Sequence, residues 1–132
     1  MKDHARITRE LGEGMEALGR VHPAAMGAFG DLLDGTTGAD GALDRRTKEL
    51  IAFAIGIAAR CDGCIGHHAK AVAAAGASRA EVAETIGVAI LMGGGPSVVY
   101  GCEALKAYDG FVRDEGADEP FADGSETIRA RA

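Results

Sequence analysis

The sequence predicts an all-α fold, a bundle of about six helices. Three observations carry that expectation. Apolar residues return every three or four positions in segment after segment, caps and glycines punctuate the segments at short intervals, and no run alternates apolar residues with polar β-formers. With 132 residues the chain can bury one core, whereas each half would approach the ~40 to 60 residues at which small folds need disulfides or metals. A single domain over 1–132 is expected, with its core at about 43–115 and a mobile or subunit-swapped tail at 116–132.

Ile7, Leu11, Met15 and Leu18 outline a first helix, weakened by Gly12, Gly14 and Gly19. Pro23 suits a first helical position, and Met26, Phe29, Leu32 and Leu33 then form one apolar face before Asp34-Gly35-Thr36-Thr37-Gly38 stops the second helix. Asp44 can cap a third, whose body at 48–59 is apolar on every side, as in a helix surrounded by others or by neighbouring subunits. After a break at 60–63, an Ala-rich helix over 65–75 ends at Gly76, a good residue just past a helix end. Ser78 and Glu81 form a capping box for the fifth helix, which runs through Val82, Ile86, Ile90 and Leu91 to Gly93-Gly94-Gly95-Pro96. The last helix spans about 97–114, and Cys102 on its apolar face is expected to be a small core residue. Glycines inside these helices, Gly56, Gly66, Gly87 and Gly101, cost roughly 1 kcal/mol each against Ala but permit close backbone approach.

Composition narrows the function. Net charge is −6, which opposes the phosphate neutralisation that nucleic-acid binding needs. Residues 1–11 contain no apolar h-region, and the longest apolar stretch, 50–59, is half a membrane span, so a cytoplasmic protein without a membrane partner is expected. Three cysteines in such a chain do not make a disulfide scaffold; they are catalytic, metal-binding or buried.

One constellation stands apart: Glu49, then Cys61-Asp62-Gly63-Cys64, then His67-His68. In a helix starting near Cys61, residues three and four apart share a face, so both thiols and the His68 imidazole can meet. Helix N-terminal amides and a neighbouring base favour a thiolate, the reactive form of cysteine. Glu49 lies on the apolar third helix, where partial burial would suit it to general-base work; the alternative is an exposed first-turn acid favoured by the helix dipole. Cys61, Cys64, His67 and His68 also offer zinc donors, although the chain has no second CxxC and no closed finger spacing. His4 and His22 lie near helix starts without visible partners, and the sequence assigns them structural roles.

The segment Glu49-Leu50-Ile51-Ala52-Phe53-Ala54, through Cys61-Asp62-Gly63-Cys64-Ile65-Gly66-His67-His68 to Ala75-Gly76-Ala77, resembles the AhpD-like, carboxymuconolactone decarboxylase superfamily. The resemblance implies an AhpD-like helical bundle assembled into homotrimers or homohexamers, with a thiol site for hydroperoxide reduction or dithiol relay. By position it makes Glu49 the proton-relay carboxylate, Cys61 and Cys64 the redox pair, and His68 the histidine assisting the reactive thiol. In the alkylhydroperoxidase D branch the second cysteine meets peroxide, which nominates Cys64 as nucleophile and Cys61 as resolving thiol; the dipole argument alone favours Cys61. That branch carries a histidine immediately before the second cysteine, where this chain has Gly63.

The expectation is thus a thiol-dependent peroxidase or thiol-disulfide oxidoreductase using a hydroperoxide and an external dithiol or protein reductant, with no cofactor and no bound metal. The alternatives are a zinc-binding or structural oligomer built on the same cluster, and a lyase of the decarboxylase kind.

Overall fold

The computed structural model describes residues 1–117, with side chains through Asp114. Apart from positions 116 and 117, the expected tail lies outside them. Six helices follow one another: α1 (His4–Val21), α2 (Pro23–Gly35), α3 (Arg45–Ala58), α4 (Asp62–Ala74), α5 (Arg79–Gly93) and α6 (Gly95–Ala117). There is no strand among the described residues.

The helix starts follow the capping residues. Asp3 Oδ1 accepts the Arg6 amide at 3.0 Å, Asp44 Oδ1 the Thr47 amide at 2.7 Å and Ser78 Oγ the Glu81 amide at 3.1 Å. The Glu81 carboxylate pairs with Arg46 of α3 at 3.6 Å. Gly76 takes φ +79, and the bonds Gly76 N–H to Ala73 O (3.1 Å) and Ala77 N–H to Val72 O (3.0 Å) close α4 as a Schellman turn.

The core lies among α3, α4, α5 and α6. Phe53 and Ile57, Ile65 and Val72, Val82, and Tyr108 and Val112 are fully or almost fully buried there, with Ala69, Ala73, Ala89 and Ala104 between them. Those alanines keep the helix axes close, so an aliphatic, aromatic-poor chain still fills its interior. Outside this four-helix body, α1 lies across α4 and α6, and among the described elements α2 packs on α1 alone.

One expectation changes. Cys102 is exposed, so it is not a core residue: the apolar pattern of α6 places Gly101 and Ala104 inward instead. On the third helix, Ile51 and Ile55 face outward from this chain, on the sides that the expectation leaves to neighbouring subunits. No helix among the described residues is long and apolar enough to cross a membrane.

Candidate active site

The site is built at the turn between α3 and α4. Arg60 adopts φ +58, and the bonds Arg60 N–H to Ile57 O (3.1 Å) and Cys61 N–H to Gly56 O (3.0 Å) end α3 in a second Schellman turn. The same turn makes Cys61 the N-cap of α4, where its Sγ accepts the Cys64 amide at 3.2 Å. Cys61 and Cys64 are joined as a disulfide, with Cα atoms 5.2 Å apart. Unpaired amides and the dipole of a helix start favour negative charge at this end, which is what a reduced cysteine needs to become a thiolate.

Gly56 lets the two helices cross at the second sulfur. A Cβ on Gly56 would stand 3.1 Å from Cys64 Cβ, so the side chain is absent where Cys64 presses against α3. One turn beyond Cys64, His68 Nδ1 lies 2.6 Å from Glu49 Oε2 on α3. Glu49 is only 7 % exposed, so it is no solvated first-turn acid. The helix register thus sets Cys64, His68 and Glu49 in sequence, from sulfur to imidazole to carboxylate. Glu49 also lines a cleft of about 580 Å³ with Asp40, Asp44, Arg45, Arg46 and the alanines at the end of α4, so the chain of groups opens toward water at the carboxylate end.

His67 does not duplicate His68. Its ring meets the His68 ring edge-on, centroids 4.8 Å apart, but it is exposed and has no hydrogen bond among the described residues. Partial burial of the ring, helped by the neighbouring His68, lowers its pKa. The structure also accounts for Gly63. A Cβ there would lie 3.3 Å from Leu11 Cδ2, because α1 occupies the space beside the CxxC turn.

This role of α1 escaped the sequence reading. Lys2 Nζ bonds Asp62 Oδ1 at 2.7 Å and sits 4.7 Å from the centre of the Tyr100 ring, fastening the start of the chain to the residue between the cysteines. The available sequence signal was the pair Gly63 and Gly66, which marks a surface another helix approaches. Among the described residues, with Cys61 and Cys64 joined, no group of three or more His, Cys, Asp or Glu side chains is placed to hold a metal ion.

Comparison with known proteins gives a consistent picture. The sequence model of the carboxymuconolactone decarboxylase family matches residues 23–107. An uncharacterised Cupriavidus necator protein is 38 % identical over 104 residues, 79 % of this chain and 90 % of its own length. A Paracoccus denitrificans chain named uncharacterised protein 4 in cox locus is 41 % identical over 71 residues, 54 % of this chain and 64 % of its own. The crystal structure of a carboxymuconolactone decarboxylase family protein from Legionella pneumophila superposes with a TM-score of 0.79 at 42 % identity, covering 82 % of this chain and 96 % of that one.

Proposed function

The chain belongs to the carboxymuconolactone decarboxylase family, and from that premise we propose that it is a thiol-dependent antioxidant oxidoreductase of the alkylhydroperoxidase kind. The observation that carries this reading is the contact between Glu49 and His68 at 2.6 Å, one helical turn from a cysteine pair within disulfide reach. A decarboxylase-type reaction has no need of two such thiols beside a proton relay.

The chemistry follows from that order of groups. With the pair reduced, His68, backed by Glu49, takes the Cys64 proton and holds it for the oxygen that leaves. The thiolate attacks the distal oxygen of a hydroperoxide, the O–O bond breaks, and an alcohol or water leaves while Cys64 becomes a sulfenic acid. The Cys61 sulfur then attacks Cys64, water departs, and the disulfide seen here is formed. An external dithiol returns two electrons and restarts the cycle. No step calls for a metal or an organic cofactor, and a reducing cytoplasm suits the recovery step.

The test is peroxide consumption by the reduced protein with a small dithiol, with free thiols titrated before and after one equivalent of oxidant. Two thiols should disappear per equivalent, Cys64→Ser should abolish turnover, and Cys61→Ser should allow one reaction followed by overoxidation of Cys64. Unimpaired turnover by Cys64→Ser would overturn the assignment.

A further inference from the structure

Asp62 stands between the two cysteines of the pair, next to Cys61 in the chain and two residues before Cys64. As an acid in the first turn of α4 it suits the dipole of that helix. It also works against the site, because negative charge close to a sulfur disfavours the thiolate on which thiol chemistry depends. The opposing charge comes from Lys2, whose Nζ lies 2.7 Å from Asp62 Oδ1. Lys2 precedes α1 and is held by two further contacts: its backbone N–H donates to Glu103 Oε2 of α6 at 3.2 Å, and its ammonium sits 4.7 Å from the centre of the Tyr100 ring. A solvated lysine keeps its rotamer freedom, whereas one fixed at both backbone and side chain has given it up. The bond to Asp62 raises the Lys2 pKa above its ordinary 10.5, so the cation persists across the range in which a thiol titrates.

We propose that Lys2 sets the ionisation of the cysteine pair: by cancelling the charge of Asp62, it keeps the thiolate as accessible as the helix start allows. This rests on the reading of Cys61 and Cys64 as reactive thiols. Lys2 acts through Asp62 and is therefore a positioning residue. The two side chains are 40 % and 39 % exposed, so water and salt weaken the field between them and the sulfurs. An uncancelled carboxylate beside the pair should raise the lower thiol pKa by about half a unit, a roughly threefold loss of thiolate at neutral pH. Other titratable groups stand around the turn: Glu49 on α3, His67 and His68 on α4, Arg60 before Cys61, His4 at the start of α1, and Tyr100 and Glu103 on α6. All of them are common to the variants compared below, so the differences report the Lys2–Asp62 pair.

The whole chain is reduced and titrated in a Cys102→Ser background, since the exposed Cys102 thiol would add its own ionisation. Thiolate formation is followed by ultraviolet absorbance against pH. Lys2→Gln should raise the lower thiol pKa by about half a unit, and Asp62→Asn should lower it by a similar amount. The double variant, which removes both charges, should return to within about 0.2 units of the parent. These differences should fade in about 1 M salt. A double variant displaced as far as Lys2→Gln would make Lys2 a tether for α1 instead of a charge partner. That result, single variants that move in the same direction or not at all, or shifts undiminished by salt would each overturn the proposal. No peroxide enters these measurements, so a protein that shows the expected pattern and consumes no hydroperoxide would overturn the peroxidase reading alone.

Discussion

In the proposed mechanism the proton traffic of the site passes through Glu49, a carboxylate 7 % exposed and 2.6 Å from the His68 imidazole. Replacing Glu49 by Gln keeps the shape but removes the negative charge that steadies a protonated His68, so deprotonation of Cys64 should slow by about 10²-fold. Pre-steady-state peroxide reduction at neutral pH checks this, with the thermal midpoint showing whether the fold survives. Tyr108 offers the structural counterpart: its hydroxyl donates to the Ala77 carbonyl at 2.6 Å inside the core. Tyr108→Phe leaves that buried carbonyl short of a partner and should cost about 1 to 2 kcal/mol, read from the shift in urea midpoint. The difference in legibility between the two is physical. Cys61, Cys64 and His68 lie within two helical turns, so helix periodicity alone brings them together, and Glu49 is found by its position on an apolar helix. The bond from Tyr108 to Ala77 spans 31 residues, and nothing local announces it.

Between elements, the contact of α1 with the body is the least comfortable one. His4 is buried with neither ring nitrogen hydrogen-bonded among the described residues, and Thr8 Oγ1 is likewise without a hydrogen bond there. Burial lowers the His4 pKa below its ordinary 6.5; Lys2 and Lys106 act in the same direction, while Glu103, 4.0 Å from Nδ1, and Asp62 oppose them. For a histidine lowered on folding, the unfolded chain takes up the proton first as pH falls. The contribution to stability is therefore complete above the ordinary value and is lost progressively as pH drops below it toward the lowered one. Amide exchange in α1, corrected for intrinsic rates, should accordingly speed up between about pH 7.5 and pH 5.5, and His4→Leu should flatten that dependence. His67, also lowered, is unaffected by that substitution and sits exposed on α4. Gly66 belongs to the same contact, for an added Cβ would strike Thr8 Oγ1 and come within 3.3 Å of the His4 carbonyl. The glycine pattern revealed that something approaches α4 closely. It did not reveal that the visitor is α1, because a missing side chain marks a contact without identifying its partner.

At the level of the whole molecule, the apolar surface exceeds what one chain covers. No residue of α2 is buried, although Phe29 and Leu32 line its apolar face. At the corner of α5 and α6, Leu91 and Met92 are each 79 % exposed, with Val98 and Val99 beside them and Ile51 and Ile55 on α3. Periodicity reads such residues as buried because it reports that a face is apolar, and cannot distinguish a neighbour in the same chain from one in another. Exposed apolar side chains gathered at one corner mark an interaction site, and the partner always available to it is a second copy of itself. This supports the proposal of a homotrimer or homohexamer. Sedimentation of the wild-type protein should give a mass above the monomer. The double variant Leu91→Glu, Met92→Glu should move the distribution toward monomer, since burying two carboxylates in an apolar interface costs several kcal/mol. Neither side chain belongs to the core, so helical content and formation of the Cys61–Cys64 disulfide should persist in the dissociated protein. A wild-type protein that sediments as a monomer at tens of micromolar would overturn the assembly, and the exposed corner would then belong to a different partner.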